Sequence, residues 1–89
     1  MVDLEEIAKK YSKEEIVKLR KDCLEKIETT SRINTALYKK YNNAKRKDKD
    51  KIMSVIMQNN WYMMNMDSLR EAYDRMLKIK EDEEKKNEQ

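Results

Sequence analysis

The side chains best suited to chemistry in this sequence are carboxylates that stand next to one another. They are Glu5 with Glu6, Glu14 with Glu15, and the run at residues 81–84, and they would serve acid–base catalysis or metal binding if they converged on one point. Neighbouring positions on a helix point about 100° apart, so on helices these carboxylates diverge. The first two pairs stand where the start of a helix favours negative charge. This pattern indicates helix capping and solubility.

Cys23 is the single cysteine, and the sequence contains no histidine to activate it as a nucleophile. Its position on an apolar stripe predicts a small buried hydrophobic side chain. One cysteine forms no internal disulfide and supplies no cysteine cluster for zinc. The absence of glycine also excludes a glycine-rich phosphate loop. We therefore expect a protein that is not an enzyme and that uses no cofactor and no metal.

A basic segment at residues 39–51 has the composition of a phosphate-binding surface. Tyr38 and Tyr41 lie close enough to stack on bases, whereas Asp48 and Asp50 interrupt the run. A solvated loop is the simpler interpretation of such a segment, and binding of nucleic acid with low sequence specificity is the alternative function. The candidate contacts to nucleic acid or to an acidic partner are Lys39, Lys40, Tyr41, Lys45, Arg46, Lys47, Lys49 and Lys51.

The elements that position these residues are predicted to be helices. The chain has 89 residues, 44% of them charged and 38% hydrophobic, with no glycine and no proline. An all-β sandwich or a Rossmann-type domain would need those turn residues. No apolar run approaches the ~20 residues of a membrane span, and the N-terminus has no apolar signal-peptide core. We expect a small all-α protein of the cytoplasm that does not bind membranes.

Two long segments carry apolar residues at steps of three and four, which predicts an antiparallel helical hairpin. The first helix is expected at residues 13–43, after an N-cap at Ser12, and the second at residues 52–80. Weak helix formers at residues 29–31 leave a break into three helices open. The stripe of the first helix is Ile16, Leu19, Cys23, Ile27, Thr30, Ile33, Leu37 and Tyr41. That of the second is Ile52, Val55, Ile56, Asn59, Tyr62, Met63, Met66, Leu69, Tyr73, Met76 and Leu77.

The ends and the turn follow from polar residues. Residues 42–51 are expected to form the turn, with Asn42 and Asn43 ending the first helix in a left-handed conformation. Asp48 or Asp50 would then cap the second helix. A short N-terminal helix is expected at residues 3–10. One domain is predicted at residues 1–80, and the charged residues 81–89 are predicted to fray.

A second apolar stripe on the helix at 52–80 predicts an interface. Met53, Met57, Trp61 and Met64 are spaced by four, four and three residues and lie on a different side from the main stripe. A helix that is apolar on two sides is buried on both. The simplest partner is a second copy, which gives a homodimeric four-helix bundle. A compact monomer with the N-terminal segment over Met57 and Trp61, or a groove for a helix of another protein, remain the alternatives.

Asn59 interrupts the apolar face and is either a hydrated residue at the edge of a bundle or a selector of register or partner. The charges are also uneven, because the predicted turn is basic and the C-terminal tail is acidic, within a net charge of +3. We expect a protein–protein interaction module, such as a small adaptor, regulator or inhibitor, that acts through apolar helical surfaces. The predicted interface residues are Met53, Met57, Asn59, Trp61 and Met64.

Overall fold

The computed structural model describes residues 3–88 and contains three helices. Helix α1 runs from Leu4–Lys10, α2 from Lys13–Asn43 and α3 from Arg46–Glu88. Helices α2 and α3 pack antiparallel, since Arg20 contacts Asp74 and Asn34 contacts Asn59. The molecule measures 65 × 25 × 15 Å. The predicted all-α hairpin is confirmed, and α1 is a third element packed against α3.

The predicted N-cap of α2 is present, and Asp3 caps α1 in the same way. The Asp3 carboxylate accepts a hydrogen bond from the Glu5 backbone N–H at 3.0 Å, and the Ser12 hydroxyl accepts one from the Glu15 N–H at 3.1 Å. Each satisfies an N–H that has no partner within its own helix. The acidic pairs at residues 5–6 and 14–15 lie in the first turns of these two helices, as predicted.

The turn between α2 and α3 is much shorter than the ten residues expected. It consists of Ala44 and Lys45, and α3 begins at Arg46, six residues earlier than predicted. The Lys45 carbonyl accepts hydrogen bonds from the N–H groups of Asp48 and Lys49, at 2.9 and 3.1 Å. The expected cap at Asp48 or Asp50 is therefore wrong, because both residues lie inside α3. Most of the basic segment is helical rather than looped.

Helix α2 also ends differently from the prediction. No residue between positions 3 and 88 has a positive φ, so Asn42 and Asn43 do not end the helix in a left-handed conformation. Instead, the Asn43 amide donates to the Lys39 carbonyl at 3.2 Å. The Ala44 N–H donates to the Tyr41 carbonyl at 3.3 Å. The Tyr41 carbonyl in the last turn of α2 is thus satisfied without the conformation that glycine would supply.

Both long helices are continuous. Helix α2 passes through residues 29–31 without a break. The Thr35 hydroxyl donates a hydrogen bond to the Ser31 carbonyl at 3.0 Å. Helix α3 continues to Glu88, where we expected fraying from residue 81, and Lys13 pairs with Glu84 at 3.6 Å. Gln89, the end of the predicted tail, lies outside the described residues.

The contact between α2 and α3 is a single seam whose residues alternate at steps of three and four. This spacing is that of a two-stranded coiled coil. All seam residues are buried or half-buried, and Ile16 and Ile56 have no solvent exposure. In α2 the seam comprises Lys13, Ile16, Arg20, Cys23, Ile27, Thr30, Asn34, Leu37 and Tyr41. In α3 it comprises Lys49, Ile52, Ile56, Asn59, Met63, Met66, Arg70, Tyr73, Leu77 and Lys80.

Asn34 occupies the place in the seam that we assigned to Ile33. Ile33 is 50% exposed, whereas Asn34 is only 4% exposed. The Asn34 amide nitrogen donates to the Asn60 side-chain oxygen at 2.9 Å and to the Ile56 carbonyl at 3.3 Å. Its oxygen accepts from the Asn59 amide at 2.8 Å. Because a slip of either helix would leave a buried amide unpaired, this cluster fixes the register of the hairpin.

A second polar layer crosses the seam farther from the turn. The Arg20 Nε donates to Asp74 at 2.5 Å, and Arg70 donates to the other oxygen of Asp74 at 2.6 Å. Arg70 also pairs with Asp67 at 2.9 Å. These groups are partly exposed, so the layer contributes modestly to stability. It orients the helices by joining α2 to α3 near the end opposite the turn.

Helix α1 packs on the end of the hairpin far from the turn. Ala8, Ile16 and Met76 form a buried cluster there, flanked by Leu4, Ile7, Tyr73, Leu77 and Ile79. The alternative in which the N-terminal segment covers Met57 and Trp61 is therefore wrong. Leu4 and Ile7 thereby bury apolar surface against this cluster.

We predict that the Asn34–Asn59 pair specifies register at a cost in stability. Asn34→Ala leaves the Asn59 amide without its partner and should lower the free energy of unfolding by about 1–3 kcal/mol. Replacing both residues by leucine removes both polar groups and should give a hairpin at least as stable as the unchanged protein. Urea denaturation of Asn34→Ala and of the double variant measures this. Equal losses in the single and double variants would contradict the assignment.

The buried seam position of Cys23 predicts a pH dependence of stability. Burial, followed by the nearby Asp22 charge, raises the pKa of the Cys23 thiol above its usual value. Above about pH 9 the thiol of the unfolded chain ionises while the folded chain keeps its proton, so stability falls. The stability advantage over Cys23→Ala should shrink as the pH rises from 8 to 10, measured by urea denaturation. An advantage that grows over this range would contradict it.

Candidate functional site

The middle of α3 contains no charged residue for fifteen consecutive positions. Residues 52–66 lie between Lys51 and Asp67 in a chain that is 44% charged, and they span about 22 Å of helix. Residues 27–38 of α2, which face most of this stretch, contain only Glu28 and Arg32 as charges, and these two pair with each other at 2.5 Å. We call these two segments together the central belt. The belt separates two charged ends of the molecule.

Much of the α3 part of the belt is exposed although it is uncharged. Trp61 is 66% exposed, Met57 is 64% exposed and Met64 is 59% exposed, while Met53 is half-buried. These four residues form the predicted second stripe and lie on the side of α3 away from the seam. The structure therefore excludes a role for Met57, Trp61 and Met64 in the core of the single chain.

Helix geometry divides the exposed apolar residues between two faces of the hairpin. Residues that are seven positions apart, or two helical turns, lie on the same side of a helix relative to the seam. The front face carries Val17, Leu24 and Tyr38 of α2 with Met53, Met57 and Met64 of α3, and Trp61 at its outer edge. The back face carries Ile33 of α2 with Val55, Tyr62 and Leu69 of α3, all of them exposed.

The predicted apolar stripe of α3 is therefore only partly in the seam. Val55, Tyr62 and Leu69 flank it on the back face, where Tyr62 lies beside Asp22 and Lys26 of α2. Helix α1 packs against Met76 and Ile79, which continue this face toward the end of α3. The front face has no such cover within residues 3–88, so it is the more open of the two.

The composition of the front face is that of the centre of a protein interface. Such centres are depleted in charged residues and enriched in aromatic residues and methionine. Tryptophan is also a frequent source of binding energy in protein contacts. Methionine side chains adjust to the shape of what they contact. On α3, between residues 52 and 66, the face offers an uncharged, adaptable surface.

Asn59 lies in the seam rather than on the front face. It is half-buried, and its amide donates to Asn34 at 2.8 Å. The side chain of Asn60, which follows it, accepts from Asn34 at 2.9 Å and reaches the front edge of the seam. Among the predicted interface residues, Asn59 thus acts through the register of the hairpin, and this register positions the Met57 and Trp61 side chains.

The predicted basic contacts surround the turn and form a basic tip at residues 39–51. The tip has a net charge of +5, since seven cations accompany Asp48 and Asp50. The ion pairs found among residues 3–88 all lie outside it. Tyr41 is a seam residue, and the Lys49 ammonium lies 5.3 Å from the centre of its ring. This contact occupies the ring that we expected to stack on bases.

The remaining candidates for chemistry do not converge. A surface groove of about 620 Å³ runs along exposed α2, lined by Tyr11, Glu15, Lys18, Leu19, Lys21, Asp22 and Glu25. Its cations and carboxylates alternate on one open helix face, which encloses a small ligand poorly. Within residues 3–88, no three of the Cys, Asp and Glu side chains are grouped closely enough to hold a metal ion. None of the described helices has an apolar stretch long enough to cross a bilayer.

Sequence reasoning missed Asn34 and the uncharged stretch. Strict alternation of three and four residues selects Asn34, because it lies seven residues from both Ile27 and Tyr41. Counting apolar residues alone favoured Ile33. The uncharged stretch is visible in the sequence as fifteen positions without a charged residue. Counting charges over residues 52–80 as a whole conceals it. Both signals were present in the sequence.

The chain was compared with family models, with curated proteins and with solved structures. None of the three comparisons finds a match.

Proposed function

We propose that this protein is a non-enzymatic protein–protein interaction module that binds a helical surface through its central belt. The observation that carries the proposal is the exposed, uncharged stretch at residues 52–66 in a highly charged chain. Isolated exposed apolar residues are common on any protein. A continuous exposed apolar patch is unusual on a monomer and is typical of an interaction site.

The geometry favours another helical surface as the partner. The front face is a straight groove and ridge formed by two antiparallel helices, and a second layer of helices covers such a face well. A second copy of the chain is the simplest partner and would complete a four-helix bundle. Adaptor, regulator and inhibitor roles all use a surface of this kind.

Trp61 should be essential for this association. We expect light scattering during size exclusion to give twice the 10.9 kDa chain mass for the unchanged protein. Trp61→Glu buries a charge in the contact and should weaken the dimer at least tenfold. Because Trp61 lies outside the seam, the helical circular dichroism signal of the variant should persist.

Ile33→Glu is the matched control, since Ile33 is also exposed in the belt but lies on the back face. It should leave the dimer intact. A chain that stays at 10.9 kDa at 100 μM would contradict self-association. Equal effects of the two variants would contradict the assignment to the front face.

A second candidate function is nucleic-acid binding by the basic tip. The observation in its favour is a net charge of +5 within thirteen residues around a two-residue turn. Phosphate contacts alone give binding that is strong at low salt and largely independent of sequence. Tyr38, which is exposed, would be the stacking side chain.

Fluorescence polarisation with labelled single-stranded RNA and duplex DNA tests the tip. Lys45→Gln combined with Lys47→Gln should weaken binding and flatten its salt dependence. Lys9→Gln combined with Lys10→Gln removes the same charge from the opposite end and should change it little. No binding at 20 mM salt, or equal effects of both pairs, would exclude the tip as the site.

A further inference from the structure

We infer that the occupant of the front face is a second copy of this chain, placed antiparallel so that the two basic tips point to opposite ends of the bundle. This inference rests on the proposed interaction function and specifies its partner and orientation. It follows from the position of the uncharged stretch and from the unequal charges of the two ends.

Two-fold symmetry permits two ways to pack the front face of one chain against the front face of a second copy. A two-fold interface brings the same patch of each chain together. If the tips lie at the same end, α3 of one copy packs on α2 of the other. If the tips lie at opposite ends, α3 packs antiparallel on α3, and α2 packs on α2. The two arrangements therefore bring different residues together.

The uncharged stretch fits the arrangement with opposite tips. Residues 52–66 are centred on Asn59, so two α3 helices that cross there align the whole stretch with its own copy. Trp61 then lies level with Met57 of the partner subunit, a favourable contact between an aromatic ring and sulfur. With the tips at the same end, the stretch would instead lie on residues 27–41 of α2. That segment is charged, and its Glu28 lies on the front face one helical turn after Leu24.

The charges beyond the stretch favour the same arrangement. Tips at the same end would bring two segments of net charge +5 together, which is unfavourable. With opposite tips, each tip runs beside residues 67–74 of α3, where Asp67, Glu71 and Asp74 accompany only Arg70 as a cation. By residue counting, Lys47 comes level with Glu71 of the partner subunit, and Arg46, seven residues before Met53, lies beside it on the front face.

The two arrangements predict very different distances between equivalent residues. Residue 47 lies twelve positions from the crossing and residue 82 lies twenty-three. With opposite tips, the paired copies of residue 47 are about 35 Å apart, and those of residue 82 about 70 Å apart, at the helical rise of 1.5 Å. With tips at the same end, both pairs lie about 20 Å apart, the width of two packed helices.

Spin labels at these positions test the inference. Lys47→Cys and Asp82→Cys, each made with Cys23→Ala, place one label per chain on exposed positions, and double electron–electron resonance measures the distances. We expect about 35 Å between the labels at residue 47 and about 70 Å between those at residue 82. An excess of unlabelled chain should remove both signals, because most dimers then contain only one label. Two distances near 20 Å in a dimer overturn the orientation but leave the proposed interaction function. A monomeric mass overturns the inference of a second copy and leaves binding to the helical surface of another protein as the proposed function.

A measurement on the unchanged protein covers the case in which Cys23→Ala fails to fold. Salt screens charge interactions over about 10 Å at 0.1 M. Opposite tips gain attraction between the tip and the acidic segment, so the dissociation constant should rise two- to tenfold between 0.05 and 0.5 M salt. Tips at the same end repel, and salt would lower the constant. An unchanged or lower constant in sedimentation equilibrium overturns the orientation.

Discussion

The packing of two helices along one narrow seam is the constraint on which this structure depends. Each helix of such a pair buries a single strip and leaves its flanks to solvent. At both ends of the molecule, charged residues occupy these flanks and α1 covers part of one. In the central belt the flanks carry methionine, tyrosine and tryptophan instead. The fold therefore presents an apolar surface that residues 3–88 leave uncovered.

Polar residues in the seam decide which side chains reach that surface. The Asn34 side chain makes its hydrogen bonds to Ile56, Asn59 and Asn60 in only one register of the two helices. The layer of Arg20, Asp74 and Arg70 holds the helices farther along. A slide of α3 by one turn would break both sets of contacts and would move Trp61 about 5 Å along the front face. Register and surface shape are thus set by the same hydrogen bonds.

The sequence predicted the helices well because apolar periodicity and the cap at Ser12 are local signals. The ends of α3 were predicted less well, because the charged residues 46–51 and 81–88 have good helical propensity but no apolar period. The break at residues 29–31 did not form, since tertiary packing of Thr30 outweighs weak local propensity. Asn34 in the seam and α1 at the far end depend on which residues meet in space. The exposure of Met57, Trp61 and Met64 depends in turn on where α1 packs.

The small number of buried apolar side chains has a consequence for the life of the protein in a cell. Five such residues are buried among those described: Ala8, Ile16, Cys23, Ile56 and Met76. A core of this size leaves little margin against unfolding. Any ligand of the folded state raises its population by mass action. Binding of a partner would then raise the amount of this protein in the cell, because unbound molecules unfold more often and are degraded by proteases.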